Sequence, residues 1–192
     1  MTGQWAVYHL LPLASVTIGE TVYNLRAALD YLIFEIARAN NGGKNVSGTQ
    51  FPIESSEETY WARSTGKTPD GKRVAQYLRK VPQPVVADLA QYQPFAGCEW
   101  TRMMQALSNA DKHQAPSGLR SNSEFIQKSP ILLERDPETG DERQVVIGDV
   151  EVQVFLTTGE DVVDTLKLLQ RETRALIRSY ANLFQVTEFP FA

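Results

Sequence analysis

Arg26 and Asp30 are the first two side chains whose types and spacing could do chemistry. They stand four residues apart in a segment with helical periodicity, so they share one face of a helix, beside its apolar stripe. One interpretation is a partly buried ion pair that orients the helix. The other is an arginine held by a carboxylate so that its guanidinium can bind a phosphate. The sequence allows both.

A second polar cluster closes the helix predicted from Glu99 to about Ala110 and consists of Asn109, Asp111, Lys112 and His113. Histidine exchanges a proton near neutral pH, so His113 could act as general acid or base in RNA cleavage, beside an arginine that stabilises the charged phosphorane. The alternative is structural. Asn109 and Asp111 would then cap the helix end, and Lys112 and His113 would complement its negative pole.

The elements that must position these clusters are mostly helical. The segment from Thr17 to Asn40 begins with a Thr-x-x-Glu capping box and carries apolar residues at steps of three and four, until Asn and Gly residues end it. The apolar stripe consists of Ile18, Val22, Leu25, Leu29, Leu32 and Ile36. Further helices are predicted from Ser55–Ser56, around Val74–Val81, over Val85–Tyr92, from Glu99 to about Ala110, and over Val162–Phe184. Gln50–Ile53 is predicted to be extended because Pro52 disfavours helix at Phe51.

The sequence pattern changes between the helix that begins at Glu99 and the last helix. Ile131–Arg135 and Arg143–Ile147 flank a Gly-containing turn, which is typical of a β-hairpin, and residues 151–156 alternate polar and apolar. We therefore expect an α+β fold in one domain, residues 1–192. Four or five helices form a bundle, about 1–115 and 158–192, and a small antiparallel β-sheet is inserted at about 125–157, before the C-terminal helix.

Composition narrows the class of protein. The lone Cys98 cannot form an internal disulfide, which indicates a reducing compartment, and no apolar run approaches the roughly 20 residues that span a bilayer. We therefore expect a cytoplasmic protein with no membrane partner. One cysteine and two histidines argue against a transition-metal site, and phosphate-loop, dinucleotide-binding, zinc-protease and α/β-hydrolase motifs are absent, so no metal and no cofactor are expected.

Net charge bears on nucleic-acid binding. The chain carries 19 Lys and Arg against 23 Asp and Glu, a balance of −4, so binding to a phosphate backbone would require a local basic patch. Two sets of cations could form one, and both are spaced as on a solvated helix face. They are Lys67, Lys72, Arg73, Arg79 and Lys80, and Arg171, Arg174 and Arg178.

Three motifs in order resemble those of a group of uncharacterised bacterial and phage proteins. They are an N-L-R-x-A-L-D-[HY] helix at residues 24–31, F-P-I at 51–53 and N-x-D-K-H at 109–113, and they cover about the first 115 residues. The helical half is more weakly similar to the HEPN superfamily (higher eukaryotes and prokaryotes nucleotide-binding). Its members are compact helical bundles, often homodimers, and many are metal-independent ribonucleases with an Arg-x(4–6)-His motif. The motif arginine falls on Arg26, and the histidine falls on Tyr31.

The resemblance implies either an RNA- or nucleotide-binding protein or a metal-independent ribonuclease, acting in phage defence or a mobile element. It also implies a homodimer. The catalytic residues would be Arg26 and His113, and the substrate would contact Asn24, Asp30, Tyr31, Asn109, Asp111 and Lys112. Tyrosine titrates near 10 and is a poor proton shuttle at neutral pH, so either His113 supplies the imidazole or the site binds without cleaving. The alternative function is a non-enzymatic protein-interaction domain in which the polar cluster is a structural network. Whether the chain is an enzyme stays open at this point.

Overall fold

The computed structural model describes residues 2–112, 119–120, 131–135, 142–146, 155–156 and 160–184, with side chains described within 16–108 and 160–183. Its α-helices are α1 (Thr2–Asn40), α2 (Glu57–Thr65), α3 (Gln83–Leu89), α4 (Glu99–Lys112) and α5 (Val162–Phe184). Two short 3-10 helices, Ala90–Tyr92 and Pro94–Ala96, connect α3 to α4. Although α1 has 39 residues, neither it nor any other helix among the described residues is apolar enough over a sufficient length to span a membrane.

Three long helices enclose the hydrophobic core. α1 packs against α4 and α5, and α4 and α5 also contact each other. The predicted apolar stripe of α1 is confirmed: Leu29, Leu32 and Ile36 are at most 1% exposed, and Leu25 is partly buried. Met104 of α4 and Leu169 of α5 are completely buried against this stripe. The amphipathic pattern therefore identifies the face through which α1 joins the bundle.

The predicted start of α1 is wrong. The helix begins at Thr2, so Thr17 lies in its interior, where its carbonyl accepts a hydrogen bond from the Thr21 hydroxyl at 2.7 Å. A Thr-x-x-Glu pattern is compatible with a helix interior as well as with a first turn, because both side chains can sit at the solvated surface of a helix. Thr17 and Glu20 are exposed in this structure. The pattern alone therefore did not locate the helix end.

The predicted starts of α2 and α5 are confirmed by their caps. The Ser56 hydroxyl accepts a hydrogen bond from Thr59 N at 3.4 Å at the start of α2, and Asp161 Oδ1 accepts one from Asp164 N at 3.0 Å at the start of α5. α2 ends at Gly66, whose φ of 76° is the left-handed conformation that favours glycine. These ends depend on local contacts, which explains why the sequence predicts them.

A helix predicted around Val74–Val81 is absent: residues 77–80 form a turn, and residues 74–76 and Val81 belong to no helix or strand. Gln50 N donates to the Tyr77 carbonyl at 3.1 Å, and Tyr77 N donates to the Arg63 carbonyl at 2.9 Å. Lys80 has a φ of 64°, which no α-helix residue adopts. The apolar spacing fits a helix, but the main chain instead bonds to segments distant in sequence.

The predicted α+β class is also wrong. The described strands are β1 (Leu119–Arg120), β2 (Ile131–Arg135), β3 (Glu142–Val146) and β4 (Phe155–Leu156). They form two separate antiparallel pairs, β1 with β4 and β2 with β3. Alternation and turn residues can pair two strands locally, but a stable sheet needs a third strand or a packed apolar face. Within the described residues the protein is mostly helical, and no β-sheet forms part of its body.

Candidate functional site

Arg26 and Asp30 both bind the main chain of a single residue, Phe51. Arg26 Nη2 donates to the Phe51 carbonyl at 3.3 Å, and Phe51 N donates to Asp30 Oδ1 at 2.8 Å. Both side chains are partly buried, as the position of the pair beside the apolar stripe predicts. Burial raises the pKa of Asp30, while the Phe51 N–H and the positive charge of Arg26 oppose that rise. The pair therefore attaches α1 to residues 51–54, which belong to no helix or strand.

Two glutamines continue these contacts along the same segment. Gln105 Nε2, on α4, donates to the Ile53 carbonyl at 2.9 Å, and Glu54 N donates to Gln93 Oε1 at 3.0 Å. Gln93 is completely buried, and its Nε2 donates to the Leu89 carbonyl at 3.4 Å. We call Arg26, Asp30, Gln93 and Gln105 the segment clamp, because together they hold the main chain of residues 51–54.

The segment clamp provides hydrogen-bond partners for the buried main chain of residues 51–54. Phe51 and Ile53 are buried, so their main chain must also enter the core, although residues 51–54 belong to none of the described strands. A buried main-chain group without a partner costs about 1–3 kcal/mol. Side chains from α1, α4 and the α3–α4 connection satisfy these groups as a neighbouring strand would.

The other predicted substrate-binding residues of α1 lie elsewhere on the helix. Asn24 is exposed and lines an open pocket of about 370 Å³ together with Gly19, Glu20 and Tyr23. Positions two residues apart on an α-helix differ by about 200° in direction, so Asn24 lies almost opposite Arg26. The structure therefore does not bring Asn24 to the clamp.

Tyr31 lies on the same side of α1 as Asn24, since seven residues make about two turns. It is 44% exposed, and its hydrogen bond to Glu35 raises its pKa. The buried Glu35 carboxylate also accepts from Arg38 Nη2 at 2.6 Å. Tyr31 thus belongs to a second polar group, separate from Arg26 and Asp30.

The second predicted cluster is described only in part. Asn109, Asp111 and Lys112 lie in the last turn of α4, which extends two residues beyond the predicted end, but their side chains are outside the described residues. His113 is also outside them. α1 and α4 do pack against each other, as a shared site would require. The pairing of Arg26 with His113 stays a prediction.

A tyrosine–carboxylate contact between α3 and α5 escaped the sequence analysis. The Tyr180 hydroxyl donates to Asp88, which also accepts from Gln91 Nε2 at 2.7 Å, and the Tyr60 hydroxyl donates to the Val86 carbonyl at 2.5 Å. Burial raises the pKa of Tyr60 and Tyr180 far above the usual range, so both remain hydrogen-bond donors. Asp88 and Tyr180 are 92 residues apart, and no local pattern indicates such a pair.

Comparisons with protein-family models, curated proteins and solved structures find no match to this chain. The resemblance to the HEPN superfamily therefore stays a prediction. No group of three or more His, Cys, Asp or Glu side chains that could hold a metal ion occurs among the residues that the structure describes.

Proposed function

We propose that this chain is a non-enzymatic binding domain in which Arg26 and Asp30 have a structural role. The observation that supports this function is their shared contact with Phe51, at 3.3 Å to the carbonyl and 2.8 Å from the N–H. Both charged groups are directed at the protein's own main chain. The function then belongs to an exposed surface.

A ribonuclease would use the same arginine differently. To clamp a phosphate, the Arg26 guanidinium would leave the Phe51 carbonyl, and an unsatisfied main-chain group of this kind costs about 1–3 kcal/mol. Asn24 and Tyr31, which would help to bind the substrate, lie on nearly the opposite side of α1. These positions favour the binding domain over the ribonuclease, although an Arg26–His113 pairing is still a prediction.

The experiment compares RNA cleavage with stability. Wild type, Arg26→Ala and His113→Ala are incubated with a mixed RNA pool in the presence of a chelator, and their thermal unfolding is recorded. We expect no cleavage by any of them and a lower melting temperature for Arg26→Ala. Arg174→Ala is the matched control, since Arg174 is exposed on α5, and it should leave the melting temperature unchanged. Cleavage by wild type that His113→Ala abolishes without loss of stability would establish the ribonuclease instead.

We also propose that the chain forms the homodimer implied by the resemblance, through the outer face of α1. Val16, Tyr23 and Tyr31 are 57%, 71% and 44% exposed and recur after seven and eight residues, which places them on one face. We expect light scattering to give a dimer for wild type and a monomer for Tyr23→Glu. Leu183→Glu changes an equally exposed apolar residue on α5 and should remain dimeric. A monomeric wild type contradicts this proposal.

A further inference from the structure

Positive charge is concentrated in the connection between α2 and α3. Residues 66–80, which we call the basic loop, hold five cationic side chains and one carboxylate, although the whole chain has a net charge of −4. The five cations are all exposed, and they are Lys67, Lys72, Arg73, Arg79 and Lys80. The basic loop thus has the opposite charge to the protein as a whole.

The cations do not lie on the solvated helix face that their spacing suggests. Lys67 and Arg73 are paired in an antiparallel bridge, flanked by hydrogen bonds from Val74 N to Gly66 O at 3.0 Å and from Thr68 N to Lys72 O at 2.9 Å. This pattern defines a non-hydrogen-bonded pair, in which opposite Cα atoms are only about 4.5 Å apart and the side chains are closest. The two cationic side chains therefore leave the main chain at directly opposite positions of the bridge.

Like charges directly opposite each other on paired strands destabilise the pair unless an anion lies between them. Lys72 is bound to Asp70 at 2.8 Å, but Lys67, Arg73, Arg79 and Lys80 form no ion pair with any residue that the structure describes. Lys67 and Arg73 nevertheless lie opposite each other in the bridge of the basic loop. Such an arrangement fits a loop that meets an external anion.

The basic loop is also anchored to the helical body. The Arg63 guanidinium lies 4.6 Å from the centre of the Tyr77 ring and is bound to Glu54 at 3.3 Å. Asn40 Nδ2, at the end of α1, donates to the Lys80 carbonyl at 2.9 Å. An ordered loop loses less conformational entropy when it binds a partner than a disordered one does.

We infer that the basic loop binds the sugar-phosphate backbone of nucleic acid. Repeated phosphates would neutralise several cations at once, and guanidinium groups suit phosphate oxygens. A lipid surface is less suitable, because stable membrane attachment also needs inserted apolar side chains, and none of the exposed large hydrophobic residues of the described chain lies in the loop. Nucleic acid would then be the partner of the proposed binding domain. Because the basic loop contains none of the clamp residues, nucleic-acid binding and the structural role of the clamp can be tested separately.

The test measures the affinity for labelled single-stranded RNA and DNA oligonucleotides by fluorescence anisotropy. We compare wild type with Lys67→Glu/Arg73→Glu and with Arg174→Glu/Arg178→Glu, which changes the net charge equally at two exposed positions of α5. The loop variant should bind at least about 10-fold more weakly, and the control should stay within about twofold. If four phosphates are contacted, raising the salt from about 50 to about 200 mM should weaken wild-type binding about 50-fold.

A single variant separates binding from folding. Arg73→Glu replaces a like-charged pair with an opposite-charged pair facing Lys67, so its melting temperature should not fall while its affinity for both oligonucleotides does. Equal weakening in the loop and control variants would overturn the inference. So would the absence of oligonucleotide binding by wild type, or binding to phosphatidylserine vesicles alone. A failed ribonuclease assay leaves this result unaffected, because the two experiments have different readouts.

Discussion

Asp30 of α1 accepts a hydrogen bond from the main-chain N–H of Phe51 at 2.8 Å. This bond joins the longest helix of the described chain to residues 51–54, where Phe51 and Ile53 fill the core and the main chain bonds to side chains. In this arrangement, the charged groups that first suggested a catalytic site satisfy the main chain of a buried segment that belongs to no helix or strand.

The first prediction compares two substitutions of Asp30. Asp30→Ala removes the acceptor and leaves the Phe51 N–H unsatisfied, so it should lower the free energy of unfolding by about 1–3 kcal/mol. Asp30→Asn keeps an acceptor oxygen and should cost less. Denaturant unfolding at neutral pH measures both, and equal losses for the two variants would mean that the hydrogen bond is not the cause.

The second prediction concerns the pH dependence of Asp30. Burial raises its pKa in the folded state above the ordinary value of 3.8, so the folded state takes up a proton at a higher pH than the unfolded state does. The stability of wild type relative to Asp30→Asn should therefore rise as the pH falls from neutral through the folded-state pKa towards 3.8. Denaturant unfolding of both proteins across this range measures the difference. A difference that stays constant, or one that shrinks, contradicts the burial of this carboxyl.

The third prediction tests the fully buried Gln93. Gln93→Leu preserves the approximate volume but removes the acceptor for Glu54 N, and we expect a loss of about 1–3 kcal/mol in unfolding free energy. Gln170→Leu is the control, because Gln170 is exposed on α5 and its side chain forms no hydrogen bond with any residue that the structure describes, and the loss in unfolding free energy should be below about 0.5 kcal/mol. Chemical denaturation distinguishes them, and similar effects would argue against the clamp.

The fourth prediction concerns the contact between α3 and α5. Tyr180→Phe removes the hydrogen bond to Asp88 and should cost about 1.5 kcal/mol, whereas Tyr77→Phe keeps the ring under Arg63 and should have little effect on the unfolding free energy. Because the pKa of Tyr180 is raised above its ordinary value of 10.0, the stability from this proton is complete below pH 10 and is lost as the pH rises further. Above pH 10, the free energy of unfolding should therefore decrease less steeply with pH for Tyr180→Phe than for wild type. An unchanged alkaline slope would contradict the assignment.

The fifth prediction compares two glycines of the basic loop. Gly66 and Gly71 have φ values of 76° and 82°, so alanine is strained at both, but a Cβ at Gly66 would also lie 3.2 Å from Gln76 Cβ, while a Cβ at Gly71 meets open space. Gly66→Ala should cost about 2 kcal/mol and Gly71→Ala about 1 kcal/mol in unfolding free energy. Thermal or chemical denaturation gives the order of the two, and the reverse order would contradict the packing at Gly66.

Local patterns predicted the parts of the fold that depend on neighbours in sequence. The cap at Ser56 depends on Thr59, which is one helical turn away. The apolar stripe of α1 forms one continuous buried face, which the spacing of its residues indicates. The same spacing failed at residues 74–81, where hydrogen bonds from Gln50 and to Arg63 hold the chain in another conformation. The alternation of polar and apolar residues did not predict the fold class either, because the pairing of two strands does not decide whether they join the core.

The sequence by itself determined which residues could bear charge and which face of α1 is apolar, but it grouped Asn24 with Arg26 in one substrate site. Only the tertiary structure decided what Arg26 and Asp30 bind, because their partner is a main chain 21 to 25 residues away that no periodicity indicates. It also decided that Lys67 faces Arg73. Side-chain type and spacing limit the possible partners, whereas the packing of distant segments selects among them.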